Sequence, residues 1–412
     1  MKNSKWYDLL FGMNYYSIND LRYNQKLGLL FSKDTLAEFL KEKELLIGSN
    51  HEKIENLPLI TFNSKYCFFI KGEYLTSTFN QYLSIIFEDF KIKHENLFTR
   101  HSEDILLSRV FSEIEGSLNV ENIPTTHKRI NEIYQNNKLN DKNDIIIKNM
   151  LNALNFIMTE QPKFNKDNLL KLYNILSENC LNDEDKIKEG AYYRDDDVMI
   201  GSYEGANASI IDECMNSLFN FANDPINIKK YNALLPHICH YYILYIHPYF
   251  DYNGRTARMV SFWLNYINNI ESAPLFISEA INDNKKSYYE AIINTRNTKN
   301  DLTYFLGYIL ETSIKYGLIY KNLEEFKEYL SKTGDSLTPT EWNYLKKIIS
   351  HNPNNYFGYK DFFEYIQNKM SKAGALKILN HFAEYGILEK STNKKKEAIY
   401  KINQDLLVYK FD

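Results

Sequence analysis

From Glu103 onward, apolar residues recur at three- and four-residue intervals in one segment after another, and that recurrence restricts the chain to packed helices. The segments are "EDILLSRVFSEIEGSL", "KNDIIIKNMLNALNFIM", "NKDNLLKLYNILSENCL", "IDECMNSLFNFAND", "YNALLPHICHYYILYIH" and "RTARMVSFWLNYINNI". Each has an apolar stripe that must be covered by a neighbour, so the expected fold class is mainly α, built on a helical bundle. The pattern breaks at "GAYYRDDDVMIGS" (Gly190 to Ser202). Bounding glycines and the Asp195-Asp196-Asp197 turn make this a short β-hairpin projecting from the bundle. Helical pattern resumes in "KKSYYEAIINTRN" and "DLTYFLGYILETSIKYGLIYKNLEEFKEYL".

A length of 412 residues leaves room for modules on both sides of such a bundle. Residues 1–102 mix a helix (Lys33 to Lys43) with "LITFNSKYCFFIKGEYL", read as a hairpin turning at Asn63-Ser64, and so form an N-terminal α+β region. The Gly, Ser, Thr and Pro cluster "SKTGDSLTPT" reads as a linker and places a boundary near Ser331. Residues 331–412 then run helix, helix, a longer helix opened by Ser371, and a hairpin, which is the order of a winged helix-turn-helix. Lys394, Lys395 and Lys396 fall at the wing tip, where DNA phosphates are often contacted, although winged helices also pair with proteins. The expected domains are therefore 1–102, 103–330 and 331–412. A net charge of -4 gives no general attraction to nucleic acid or anionic membrane, and no apolar run reaches membrane-spanning length. Cys67, Cys180, Cys214 and Cys239 show no framework spacing, which fits a reducing cytoplasm.

The densest chemistry lies in "HPYFDYNGRTAR", His247 to Arg258. Pro248 biases His247 out of the preceding helix, so the histidine stands where a loop begins. Asn253 and Gly254 can turn successive N–H groups inward as an anion nest, with a new helix starting immediately after them. That helix N-terminus adds partial positive charge, and Arg255 and Arg258 share its first turn, an arrangement suited to polyphosphate. Asp251 beside phosphates implies a bridging Mg²⁺, and His247 is the nearby group suited to act as a general base. The set reads as nucleotidyl or phosphoryl transfer. His237, His240 and His247 share a helical face with Cys239 close by, but no acidic neighbour completes a usual zinc set.

These residues resemble the signature of the Fic family: His-Pro-Phe, any residue, Asp or Glu, Gly-Asn-Gly-Arg, two residues, Arg. Tyr249 replaces the phenylalanine and Tyr252 replaces a glycine, so the side chain of Tyr252 is expected to line the nucleotide site and bear on nucleotide choice. The resemblance extends over roughly Glu103 to Leu330, with Gly190 to Ser202 as the family's flap and "KKSYYEAI" as the helix after the motif. It implies that His247 deprotonates a target hydroxyl and Asp251 holds Mg²⁺. Asn253, Gly254 and Arg255 would cradle the α- and β-phosphates of ATP, and Arg258 the γ-phosphate. The implied reaction moves AMP to a Ser, Thr or Tyr hydroxyl of a target protein or of the chain itself, with the target strand added along Val198, Met199 and Ile200. "FSEIEGSL" resembles the family's inhibitory helix, whose pattern is Ser or Thr, three residues, Glu, then Gly or Asn. Glu115 and Gly116 match it, with Phe111 in the Ser/Thr place. The implied role of Glu115 is to compete with the γ-phosphate for Arg258. Relatives with this layout often form homodimers. Two alternatives stand beside a self-inhibited protein AMP-transferase: a DNA-binding regulator whose Fic domain senses nucleotide, and a Fic transferase using another nucleotide or phosphate-linked group.

Overall fold

Every side chain of "LPHICHYYILYI" (Leu235–Ile246) is buried, and the helices at Ile211–Asn223 and Asn253–Ile267 pack against it. The structure is a computed structural model that describes residues 6–23, 30–49, 51–96, 100–268, 277–351, 355–366 and 370–407. It is mainly helical, with short antiparallel strand pairs. In chain order come α1 (Tyr7–Phe11), α2 (Ile18–Tyr23), α3 (Lys33–Gly48), β1 (Ile54–Leu57), β2 (Cys67–Ile70) and α4 (Glu73–Asn96). Next are α5 (Arg100–Val120), α6 (His127–Asn136), α7 (Lys142–Glu160) and α8 (Lys166–Ser177), then the strands β3 (Met199–Ile200) and β4 (Tyr203–Glu204). The bundle is completed by α9 (Ile211–Asn223), α10 (Pro225–Tyr231), α11 (Leu235–Ile246), α12 (Asn253–Ile267), α13 (Ser278–Asp283), α14 (Lys285–Asn297) and α15 (Thr303–Thr333).

Local chemistry starts several of these helices where the sequence changes period. The Asp141 carboxylate accepts the Asp144 N–H at 3.0 Å to cap α7, and the Asn165 side chain accepts the Asn168 N–H at 2.9 Å to cap α8. Trp263 of α12 is fully buried and donates its indole N–H to the Pro162 carbonyl at 2.8 Å, which ties α12 to the start of α8.

The chain divides into two units, Met1–Ser313 and Ile314–Asp412. Residues 1–102 therefore do not stand apart from the bundle as expected. The edge of β2 continues into the segment after α14: Phe68 donates to the Asn300 carbonyl (3.1 Å) and Leu302 donates to the Phe68 carbonyl (2.7 Å). Lys43 and Asp301 form a buried ion pair at 2.5 Å, which fastens α3 to the same segment. The hairpin differs in its first strand, which is Ile54–Leu57, upstream of the "LITF" run, while Asn63 and Ser64 lie in the loop joining the strands.

The second unit begins inside α15 rather than at Ser331. The helix carries its apolar stripe through the buried Ile319, Phe326 and Leu330, and it ends at Thr333 before Gly334, whose φ of +80° closes it. This unit contains α16 (Pro339–His351), α17 (Tyr359–Ile366), α18 (Lys372–Glu384), β5 (Leu388–Thr392) and β6 (Ala398–Ile402), the helix, helix, helix, hairpin order read from the sequence. Ser371 caps α18, and Lys394, Lys395 and Lys396 are exposed at the hairpin tip. Among the described residues no helix is long and apolar enough to cross a membrane, and all four cysteines are buried and unpaired.

One contact within the first unit carries a pH signature. Glu113 of α5 is buried and accepts the Ser278 N–H at 2.8 Å as well as the Ser278 hydroxyl. Burial raises its pKa from 4.5 to about 7, against the hydrogen bonds from Ser278 and the charge of Arg258. A carboxyl whose folded pKa lies above its unfolded value contributes stability that is full below the unfolded value and is lost as pH rises through the folded one. The span from 4.5 to about 7 corresponds to roughly 3 kcal/mol. Glu113→Gln is expected to flatten the fall in Tm between about pH 5 and 8; a Tm profile parallel to that of the unsubstituted chain would contradict this assignment.

Candidate active site

His247 ends α11 in a left-handed conformation (φ +56°), with its N–H bonded to the Ile243 carbonyl at 2.8 Å. Pro248 prevents the helix from continuing. Burial lowers the imidazole pKa to about 4, helped by the Arg296 and Arg194 guanidinium groups, so the ring is neutral at pH 7. The loop that follows is held by its own residues. Tyr249 is buried and stacks on Tyr173 with ring centroids 3.7 Å apart. The Asn253 side chain donates to the Tyr249 carbonyl (2.8 Å) and accepts the Tyr249 N–H (3.0 Å). Its amide is thus committed to the loop, leaving the backbone N–H as its means of contacting an anion.

The helix α12 starts at Asn253, and Gly254 in its first turn lies beside Glu121, just past the end of α5. A Cβ at Gly254 would lie 2.5 Å from Oε1 of Glu121, so only glycine lets a carboxylate approach this closely. Tyr252, where the related signature has glycine, also adopts a left-handed φ of +66°, a conformation disfavoured for a side chain of its size. The contact that accompanies it is a stack, with the Arg255 guanidinium carbon 3.3 Å from the centre of the Tyr252 ring. Tyr252 is buried beneath that guanidinium and acts on the site through Arg255. Nε and Nη1 of Arg255 are buried without a protein partner, and its Nη2 lies 3.7 Å from Oδ1 of Asp251. Oδ1 of Asp251 also accepts the Tyr252 N–H at 2.6 Å, and this carboxylate is about half exposed to solvent.

Arg258 is almost wholly buried. Its Nε donates to the Ser117 hydroxyl (3.0 Å), and its Nη2 donates to the Ser117 carbonyl (3.0 Å) and to Oε1 of Glu121 (2.8 Å). Burial disfavours the Glu121 carboxylate, but the charge and hydrogen bond of Arg258 outweigh it and hold the pKa below the ordinary value. This corrects the expectation for Glu115, which faces His127 at 3.3 Å instead. Gly116 lies within α5, which runs to Val120, and a Cβ there would sit 2.5 Å from the Glu279 nitrogen, so its role is close packing against α13. The signal was present in the sequence six residues later. Ser117-Leu118-Asn119-Val120-Glu121-Asn122 fits the pattern of Ser, three residues, Glu and Asn at every position.

The hairpin next to His247 is also shifted from its expected place. The strands β3 and β4 pair Met199 with Glu204 and Ile200 with Tyr203, and the turn is at Gly201-Ser202, where Gly201 has φ +62°. Asp195–Asp197 form no turn because Asp197 is occupied elsewhere, accepting from the Asn207 side chain (2.9 Å) and the Ala208 N–H (2.8 Å). Met199 and Ile200 form β3, with Met199 exposed, and Val198 precedes the strand, its carbonyl accepting the Gly205 N–H at 3.0 Å. Arg194, which the sequence reading overlooked, anchors the flap to the motif. It is buried and donates to the carbonyls of His247 (2.8 Å), Asp196 and Ala206, while its own N–H bonds to the Pro248 carbonyl at 3.0 Å. Removing three charge-assisted bonds at once in Arg194→Ala should lower stability by about 2–4 kcal/mol and speed limited proteolysis within residues 195–205. An unchanged cleavage pattern would show that Arg194 does not hold the flap.

His237 and His240 belong to the core. Nδ1 of His237 lies 3.3 Å from the Ser261 hydroxyl and Nε2 of His240 lies 2.9 Å from the Tyr288 hydroxyl. Among the described residues no cluster of three or more His, Cys, Asp or Glu side chains is arranged to hold a metal.

Residues 163–264, which include the whole His247–Arg258 stretch, match the model of the Fic/DOC family. A Fic family protein from Desulfovibrio desulfuricans G20 is similar in structure at 15% identity and a TM-score of 0.49, covering 80% of this chain and 95% of that one. Fic-1 (residues 134–508) from C. elegans is similar at 16% identity and a TM-score of 0.48, covering 61% of this chain and 74% of that one. No curated protein matches the chain in sequence. The stretch that matches the Fic/DOC family model, residues 163–264, is thus the part of the chain in which the His247–Arg258 motif folds as one loop and helix start.

Proposed function

We propose that the chain is a protein AMP-transferase held inactive by its own Glu121. The observation that carries this reading is the position of the Glu121 carboxylate, bonded to Arg258 at 2.8 Å and pressed against Gly254 at the N-terminus of α12. Two features that attract a phosphate, a buried guanidinium and a helix N-terminus, are thereby both occupied by one carboxylate. Displacement of Glu121 opens them to the β- and γ-phosphates of ATP, with Arg255 offering its unpartnered N–H groups beside them. Asp251, exposed at the mouth of the loop, is the carboxylate that would hold Mg²⁺, a cation commonly bound by one or two carboxylates together with phosphate oxygens. Bound there, Mg²⁺ would supply charge neutralisation.

In the transfer step the target hydroxyl gives its proton to neutral His247 and its oxygen bonds to the α-phosphorus. The bond from the α-phosphorus to the bridging oxygen breaks, and pyrophosphate leaves. The flap edge at Val198, Met199 and Ile200 would align the target segment by strand addition, with Arg194 fixing the flap relative to His247.

The Tyr252 stack on Arg255 supports a second reading, in which the same site moves a different nucleotide. Thermal shift separates the two. Glu121→Gly with Mg²⁺ should be stabilised most by ATP among the four common nucleoside triphosphates, since a preferred ligand stabilises by mass action. A larger shift with another triphosphate would transfer the assignment to that nucleotide, and no shift with any of them would overturn both readings.

A further inference from the structure

The segment carrying Glu121 is gripped by two consecutive helices. Glu113 accepts two hydrogen bonds from Ser278 of α13, and Gly116 packs against the backbone of Ser278 and Glu279. Beyond them α14 takes hold of the end of α5. Nζ of Lys285 donates to the Asn122 side-chain oxygen at 2.6 Å and to the Asn119 carbonyl at 3.4 Å, and the Tyr289 hydroxyl donates to the Val120 carbonyl at 3.4 Å. Lys285 and Tyr289 are four residues apart and so present on one face of α14. The last carbonyls of a helix lack intrahelical partners, and a cation there also meets the negative end of the helix dipole. The three groups held, Asn119, Val120 and Asn122, bracket Glu121 on both sides.

We propose that Lys285 and Tyr289 are a latch that sets how firmly Glu121 occupies Arg258 and Gly254. The inhibited and nucleotide-competent states are then balanced on α14, at residues outside the phosphate cradle. The proposal rests on Glu121 being the inhibitor. A bound carboxylate on the same chain lowers apparent nucleotide affinity by the fraction of chains in which it has moved away. Loosening the turn that carries Glu121 raises that fraction. Both residues reach solvent, so Lys285→Ala and Tyr289→Phe remove the grip without opening the core.

Calorimetric titration with MgATP tests the latch in the full-length chain. The Lys285→Ala, Tyr289→Phe double variant should bind about three- to tenfold more tightly than the unsubstituted chain, the factor expected for the loss of three hydrogen bonds of which two are long, at 3.4 Å. This sign is opposite to that expected from merely removing a positive charge near a polyphosphate. Lys285→Arg should stay close to the unsubstituted chain. In a Glu121→Gly background the double substitution should have no further effect, because the latch acts through Glu121. A double variant that binds like the unsubstituted chain, while Glu121→Gly binds more tightly, overturns the latch and leaves Glu121 as the inhibitor. An equal gain with and without Glu121 also overturns it, by showing an action independent of the carboxylate. Glu121→Gly binding no more tightly than the unsubstituted chain overturns the inhibition and the latch together.

Discussion

Glu121→Gly is expected to raise transfer from ATP at least tenfold and to make the chain's thermal stability depend on MgATP. Glu121 and a phosphate cannot share Nη2 of Arg258, and neither can both approach Gly254 at the start of α12. Removing the carboxylate leaves the guanidinium aimed, because the Ser117 hydroxyl and carbonyl still accept from it. It also leaves a buried cation without its counter-charge. Since the Glu121 side chain is partly exposed, water can enter in its place, and the cost should be about 1–3 kcal/mol rather than that of a fully sealed pair. MgATP at a hundred times its Kd would restore about 2.7 kcal/mol. The variant should therefore melt below the unsubstituted chain without nucleotide and recover with it. Equal Tm values under both conditions would mean that Glu121 neither stabilises Arg258 nor blocks the cradle.

His247→Ala in the Glu121→Gly background is expected to reduce transfer by about 10²–10⁴-fold while leaving MgATP affinity nearly unchanged, the pattern for a general base that acts only in the chemical step. Burial and the neighbouring Arg296 and Arg194 charges hold the His247 pKa near 4, so the ring is already a free base throughout the neutral range. The kcat/KM profile of Glu121→Gly should accordingly show no loss of activity centred near pH 6.5, where an ordinary histidine would gain its proton. The sign for stability is related. With the folded pKa below the unfolded one, His247 weakens the fold only as pH falls through about 6.5 towards 4. A single inflection near 6.5 in kcat/KM would show either that His247 is not the base or that its surroundings are wetter than the fold indicates.

The helices from α5 to α12 were legible because their apolar residues keep a strict period, and the candidate site was legible because its residues are consecutive in the chain. What the sequence concealed depends on contacts between distant residues. The union of the N-terminal region with the bundle is made by Phe68 with Asn300 and Leu302, and by Lys43 with Asp301, none of which has a local signature. The flap turn was misplaced because three aspartates look like a turn, whereas Asp197 is committed to Asn207 and Ala208 and the left-handed residue is Gly201. Glu115-Gly116 matches the inhibitory pattern at its Glu and Gly positions, with Phe111 in the Ser/Thr place, whereas the fold puts Glu121 on Arg258 and Glu115 beside His127. Gly116 is instead a packing glycine in mid-helix, and the matching Ser117-to-Asn122 run lies at the helix end itself.

The sharpest distinction is therefore between two glutamates six residues apart. Intact-mass analysis of Glu115→Gly and Glu121→Gly, each incubated with ATP and Mg²⁺ alongside the unsubstituted chain and a sample of target-containing extract, reads transfer directly. Glu121→Gly should add the mass of one AMP to itself or to an extract protein, while Glu115→Gly, which removes a carboxylate facing His127 rather than Arg258, should behave as the unsubstituted chain does. Labelling by Glu115→Gly with none by Glu121→Gly would contradict the account at its centre.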